Sequence, residues 1–163
     1  MSNELNATLN TPRVLPAADR MATLAYPLVR VTTGLMLIPH GAQKLFGWFG
    51  GYGLTATGQY FESTLGMSPG ILFATLAGLV EVFGGLALVL GLLTRPAALA
   101  VAVFMAVALS VHIPNGFFWT AGGIEYPLMW GLLAVAIFLR GGGPYSLDAR
   151  FGRAQVDDNA AGA

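Results

Sequence analysis

Cysteine is absent from this chain of 163 residues, and only 10% of its residues are charged. The lack of cysteine excludes disulfides, thiol redox chemistry and iron–sulfur or zinc sites held by thiolates. The formal net charge is zero, so the chain has no basic field to attract nucleic acid. An ordinary soluble domain contains about 25% charged residues, whereas 55% of these residues are hydrophobic. The composition therefore predicts an integral membrane protein in contact with a lipid bilayer.

Four apolar segments predict the membrane-spanning helices of an all-α, integral membrane four-helix bundle over residues 21–140. The predicted spans are roughly 21–41, 69–93, 96–115 and 124–139. A helix needs about 20 residues to cross the hydrocarbon, so the fourth segment is short and we expect Glu125 at its outer margin. Residues 1–20 are predicted to form a disordered cytoplasmic tail, and residues 141–163 a polar C-terminal tail.

Basic residues near the segment ends predict the orientation, because cytoplasmic loops carry an excess of lysine and arginine. Six of the eight basic residues fall on the side that holds both termini: Arg13, Arg20, Arg95, Arg140, Arg150 and Arg153. Both termini are therefore predicted to be cytoplasmic. The connection over residues 43–68 then faces outward; it is rich in glycine and aromatic residues, and we expect a short helix near 55–65. It is either a lid over the bundle or an interfacial loop.

Ionisable residues inside or at the edges of the apolar segments form the candidate site. They are Arg30, His40, Lys44, Glu81, His112 and Glu125. A charge at the bilayer centre costs roughly 2.5–3.5 kcal/mol, so such side chains face inward and find partners. At 1.5 Å per residue, Arg30 lies about 14 Å from the inner side and Glu81 about 18 Å from the outer side. We therefore predict that Arg30 pairs with Glu81 at mid-membrane, with the histidines and Glu125 continuing a polar column outward.

This set of side chains suits a ligand such as a quinone, whose carbonyl oxygens need donors and whose reduction takes up protons. Arg30 would hold an anion or a developing negative charge. Glu81 would be its partner and a proton carrier, and His112 with Glu125 would form the outward proton exit. Nothing in the sequence supplies electrons, so a redox reaction here needs a partner subunit or a bound cofactor.

Three other interpretations remain open from the residues alone. His40 and His112 would serve as haem ligands, or as zinc or copper ligands together with Glu125. A chain of intramembrane charges also marks transport pathways, which suggests a small transporter. The third interpretation is a non-catalytic scaffold whose buried ion pair orders the helices. Small residues in the apolar segments permit a homo-oligomer.

Several motifs resemble the DoxX family of small bacterial membrane proteins, over roughly residues 23–140. They are GLMLIPHGAQKLFG at 34–47, EVFGGLALVLGLLTRPAAL at 81–99, His112, and GGIEYPL at 122–128, together with Arg30 in the first segment. The resemblance implies a multi-pass, four-helix protein of the bacterial inner membrane. It also implies an association with quinol oxidase, thiosulfate:quinone oxidoreduction or oxidoreductase complexes that answer oxidative stress. The expected function is thus that of a membrane subunit of a respiratory or redox-protective system that binds a quinone or similar hydrophobic ligand.

Overall fold

Helices make up the regular structure of residues 17–152, the part of the chain that the computed structural model describes. The helices are α1 (Ala17–Phe46), α2 (Gly53–Ser63), α3 (Gly70–Leu79), α4 (Gly85–Leu90), α5 (Thr94–His112) and α6 (Glu125–Arg140). A π-helical turn, Val80–Gly84, joins α3 and α4 into one continuous rod. Short 3₁₀ turns occupy Trp48–Gly50, Ile113–Asn115 and Trp119–Ala121. No strand occurs within residues 17–152, so the predicted all-α class is confirmed.

Three helices of the described region are long and apolar enough to cross a membrane. They are Met21–Phe46, Gly70–Leu90 and Thr94–Asn115. Large apolar side chains along these helices are exposed, among them Leu28, Phe83 and Val103. In lipid this exposed apolar surface is the expected one, because the hydrocarbon is as apolar as the side chains. The protein is therefore a membrane protein whose helices contact the bilayer.

The first helix differs from its predicted bounds at both ends. It begins at Ala17, so residues 17–20 of the predicted tail are helical, while residues 1–16 and 153–163 lie outside the described part. It also continues through His40 and Lys44 to Phe46, instead of ending near residue 41. The short helix expected near 55–65 is α2, Gly53–Ser63.

Glycine residues set how closely α1 packs against the α3–α4 rod. A Cβ atom on Gly34 would collide with the carbonyl oxygen of Gly85, and one on Gly41 would lie 2.7 Å from the carbonyl oxygen of Gly78. Both helices thus present two glycines spaced by seven residues, the repeat that keeps a seam on one face of a helix pair. These two contacts fix the antiparallel register of α1 against the rod.

The remaining helices pack around this pair. Val101 and Met105 of α5 form a buried core with Ala134 and Ile137 of α6, and Gly84 of the π-helical turn faces Val101. On the opposite end, α2 returns along α3. Its Glu62 side chain accepts a hydrogen bond of 3.2 Å from the backbone N–H of Gly70, which satisfies one of the free donors at the start of α3.

Candidate functional site

A partly buried ion pair between Lys44 and Glu81 is the centre of the candidate site. The ammonium nitrogen of Lys44 lies 2.8 Å from both carboxylate oxygens of Glu81. The Glu81 side chain is 5% exposed and the Lys44 side chain 24% exposed. Burying a carboxylate without a partner is strongly unfavourable. The ion pair with Lys44 offsets this desolvation cost for Glu81.

Local helix geometry brings these two side chains together. Helical side chains point back toward the N-terminus of their helix, so Lys44, close to the end of α1, reaches down toward the membrane interior. Its ammonium also lies 3.5 Å from the carbonyl oxygen of His40, one turn earlier. Glu81 stands in the π-helical turn, a distortion that is frequent at functional sites. The register set by the glycines brings Gly41 against the Cβ of Glu81, within reach of Lys44.

The predicted pairing of Arg30 with Glu81 is wrong. Arg30 is 1% exposed, and it donates to the carbonyl oxygens of Leu88 and Val89, the latter at 3.1 Å. These carbonyls lie seven and eight residues beyond Glu81 in sequence, about 10 Å farther along the rod at 1.5 Å per residue. The prediction failed because depth was counted from the start of each segment separately. The register of α1 against the rod, with Gly34 at Gly85, places Arg30 beside the end of the rod instead.

Arg30 belongs instead to a group of contacts, here called the cap, at the end of the molecule where the turn before Thr94 joins α4 to α5. Its Nη2 donates to the carbonyl oxygen of Tyr145 at 2.7 Å, and its Nε has no hydrogen-bond partner among the described residues. The guanidinium thus satisfies carbonyls that the last turn of α4 leaves free. Tyr26 also donates to the carbonyl oxygen of Gly141, so the segment after α6 is held to α1 at two points.

Asp148 completes this cap and was missed by the sequence reasoning. Its carboxylate accepts hydrogen bonds from the backbone N–H groups of Leu93, at 2.8 Å, and Thr94, at 2.9 Å, and so caps the start of α5. Burial raises the pKa of Asp148, but the hydrogen bonds from Thr94 and Leu93 and the charge of Arg30 outweigh it and hold the pKa below its ordinary value. No local signal could have found it, because Asp148 follows α6 and caps a helix more than fifty residues earlier.

A cleft of about 540 Å³ opens beside the ion pair, between the end of α1 and helix α2. Lys44 reaches its wall, and the other lining residues are uncharged: Gln43, Gly50, Gly51, Tyr52, Ala56, Thr57, Tyr60 and Phe61. Gln43 holds the following loop through a 3.2 Å hydrogen bond to the carbonyl oxygen of Phe49. An apolar and aromatic cleft with a few convergent polar groups is the usual form of a small-molecule site.

The other predicted site residues make contacts elsewhere. The Nδ1 atom of His112 lies 2.7 Å from the carbonyl oxygen of Ala108 in its own helix. Glu125 accepts a 3.0 Å hydrogen bond from the backbone N–H of Trp119, and His40 is exposed on α1. No side chain of these three residues bonds to Lys44 or Glu81. Within residues 17–152, no group of three or more His, Asp or Glu side chains is placed to hold a metal ion.

Comparison with known proteins places this chain in a family. The DoxX family model matches residues 25–114, more than half of the chain. The chain belongs to the DoxX family. A relative from Haemophilus influenzae, named only as an uncharacterized protein, is 34% identical over 127 residues, which are 76% of this chain and 87% of the relative. No solved structure matches the chain.

The DoxX range covers most of the candidate site. It contains Arg30, Lys44 and Glu81, together with His40 and His112, whereas Glu125 and Asp148 lie beyond it. The family resemblance predicted from the sequence motifs is thus confirmed.

Proposed function

We propose that this DoxX protein binds a quinone or a similar hydrophobic ligand in the cleft beside Lys44, as a membrane subunit of a respiratory or redox-protective system. The observation that carries the proposal is the buried Glu81 carboxylate, held by a lysine whose ammonium reaches the wall of an aromatic cleft. Ionisable residues within membrane helices mark functional sites by default. The electrons for any redox reaction would come from a partner subunit, because the described residues provide no redox group of their own.

The residues fit such a ligand in chemistry and in size. Lys44 supplies an N–H donor for a carbonyl oxygen, and Tyr52, Tyr60 and Phe61 supply aromatic surface for a ring. The volume of about 540 Å³ is within the range of about 300–1,000 Å³ of small-molecule sites. A tail leaving the cleft would pass directly into lipid, since the neighbouring helices expose apolar side chains.

The roles first predicted for Arg30, Glu81, His112 and Glu125 change in part. Arg30 was predicted to hold an anion, but its guanidinium is engaged with backbone carbonyls. Lys44 is instead the cation that would donate to the ligand. Glu81 remains the partner of the cation and the candidate proton carrier. The outward proton exit through His112 and Glu125 stays a prediction without a supporting contact.

We also infer that α6 crosses the membrane as the fourth helix of a bundle, and that both termini face the cytoplasm of a bacterial inner membrane. Arg95, Arg140 and Arg150 lie at the end of the molecule that carries the Arg30 cap, and Lys44 lies toward the other end. This distribution follows the rule that basic residues accumulate on the cytoplasmic side. The α6 helix, with 16 residues, packs along α5 and would need only a modest local thinning of the bilayer.

The proposal is tested by what the purified protein carries. The protein is extracted in a mild detergent, and the bound small molecules are identified by solvent extraction and mass spectrometry. A quinone at near-stoichiometric amount that is lost in Lys44→Met supports the proposal. The matched control is Glu62→Gln, an exposed polar residue of α2 outside the cleft lining, which should retain the quinone. A protein that carries no quinone and takes up none when it is added contradicts the proposal.

A scaffold function is the second candidate, and the Arg30 cap favours it. Arg30 and Asp148 of that cap bind backbone groups at helix ends. In this second function the Lys44–Glu81 pair would likewise order α1 against the rod. Exchanging the charges, with Lys44→Glu and Glu81→Lys together, should then restore the stability lost in either single variant. If the exchanged protein is stable but binds no quinone while the wild type does, the pair has a ligand-binding role.

A further inference from the structure

The charge balance at the cleft decides which head groups it accepts. Lys44 stands between the cleft and Glu81: its side chain is 24% exposed, against 5% for the carboxylate behind it. The eight other lining residues carry no formal charge. The nearest other acid on α2, Glu62, is exposed and is occupied by Ser68 and the backbone N–H of Gly70. A ligand in the cleft therefore meets one positive charge that is already neutralised by a negative charge behind it.

Lys44 still has a donor to offer. An ammonium carries three N–H groups; two bonds go to Glu81, and the third contact is the long one of 3.5 Å to the carbonyl oxygen of His40. A ligand oxygen at ordinary hydrogen-bonding distance would replace that long contact without breaking the ion pair. Gln43 is committed to the loop carbonyl of Phe49, and Lys44 is the charged donor among the residues that line the cleft.

We infer that Glu81 makes the cleft selective for neutral, carbonyl-bearing head groups and against anions, an inference that rests on the proposed ligand site. A neutral carbonyl accepts the free N–H of Lys44 and leaves the site uncharged. An anion would be attracted by Lys44 and repelled by Glu81, and it would leave one uncompensated negative charge in a region of low dielectric constant. A lipid phosphate or a sulfur oxoanion is therefore disfavoured, and a quinone in its oxidised form is favoured.

Two naphthoquinones of nearly equal size test this selectivity: 2-methyl-1,4-naphthoquinone, which is neutral, and 2-hydroxy-1,4-naphthoquinone, which is an anion at pH 7. Their binding is measured by equilibrium dialysis against the full-length protein in nanodiscs of zwitterionic lipid, with empty nanodiscs as the blank for partition into lipid. We expect the wild type to bind the neutral compound at least about tenfold more tightly. In Glu81→Gln, which leaves Lys44 unpaired, the preference should shift toward the anion by about tenfold or more. The control Glu62→Gln should keep the wild-type ratio.

The outcomes separate the two proposals. If the wild type binds neither compound above the nanodisc blank, the proposed ligand site is wrong, and the proposed selectivity is wrong as well. If the wild type binds the anion as tightly as the neutral compound, the proposed ligand site is supported and the proposed selectivity is wrong. If Glu81→Gln folds and keeps the wild-type ratio, the preference does not come from Glu81. Should that variant fail to fold, the wild-type ratio alone still decides whether anions are disfavoured.

Discussion

At the scale of single residues, Glu81 depends on one partner. Both carboxylate oxygens accept from the ammonium of Lys44, and no other side chain of the described residues donates to them. Removing one member of a buried ion pair leaves an uncompensated charge, which typically costs about 3–5 kcal/mol. We therefore expect Lys44→Met to lower the free energy of unfolding by a few kcal/mol, measured by thermal unfolding in detergent.

The double variant Lys44→Met with Glu81→Leu is the decisive comparison for this pair. Replacing both charges by apolar side chains removes the uncompensated carboxylate, and such replacements are often close to neutral. The double variant should thus be more stable than Lys44→Met alone. If it is less stable, and the two losses add, the two side chains do not act as a pair.

Asp148 offers a test by pH at a site outside the membrane-spanning helices. Its pKa is held below the ordinary value of 3.8, since burial opposes ionisation but the hydrogen bonds from Thr94 and Leu93 and the charge of Arg30 favour it more strongly. A carboxyl group whose pKa is lower in the folded state stabilises the protein above its unfolded pKa. That stabilisation is lost as the pH falls through the folded pKa.

The expected result is a pH-dependent difference between the wild type and Asp148→Ala. At pH 7 the variant should be less stable by about 1 kcal/mol, the usual effect of losing a helix cap. The difference should shrink once the pH falls below the ordinary value of 3.8. Thermal unfolding followed across this range measures it, and a difference that is unchanged in acid would show that the ionised carboxylate contributes nothing.

At the scale of helices, the close packing of α1 on the α3–α4 rod is the feature to test. Alanine normally stabilises a helix interior over glycine by about 1 kcal/mol. At Gly34, however, the added Cβ would collide with backbone of the rod, and overpacking typically costs about 1–3 kcal/mol. We expect Gly34→Ala to lower the thermal stability.

A matched control lies on α6. At Gly131 the nearest atom to an added Cβ is the Cβ of Met105 at 3.4 Å, an ordinary packing distance. Gly131→Ala should therefore leave the stability unchanged or raise it slightly. Equal effects of the two substitutions would mean that the contact between Gly34 and Gly85 does not limit the helix packing.

The helices and the site were predictable from sequence to different degrees. The apolar runs identified α1, the rod, α5 and α6, because lipid selects long apolar segments whatever their neighbours. The pairing of Glu81 was not predictable in the same way, since it depends on register. Counting residues from the start of each run cannot detect that Gly41 lies against Gly78. Lys44 was recognised as a site residue, but its place at the end of a segment hid how far its side chain reaches inward.

At the scale of the whole molecule, α6 decides the topology. If its 16 residues cross the bilayer, Arg150 lies on the same side as the turn at Arg95; if they do not, Arg150 lies on the opposite side. The chain contains no cysteine, so a single introduced cysteine is the one thiol of this protein that a reagent can label. Arg95→Cys reports the turn between α4 and α5, Arg150→Cys the segment after α6, and Tyr52→Cys the connection over residues 43–68.

We expect a membrane-impermeant maleimide to label only Tyr52→Cys in intact cells, because Tyr52 is 88% exposed on the face opposite the arginines. Arg95→Cys and Arg150→Cys should react only after the cells are broken open. Arg95→Cys serves as the control, since its side of the membrane does not depend on α6. Labelling of Arg150→Cys in intact cells while Arg95→Cys stays protected would place α6 on the outer surface. It would then rule out the four-helix bundle, because the Arg30–Tyr145 contact needs both segments on one side.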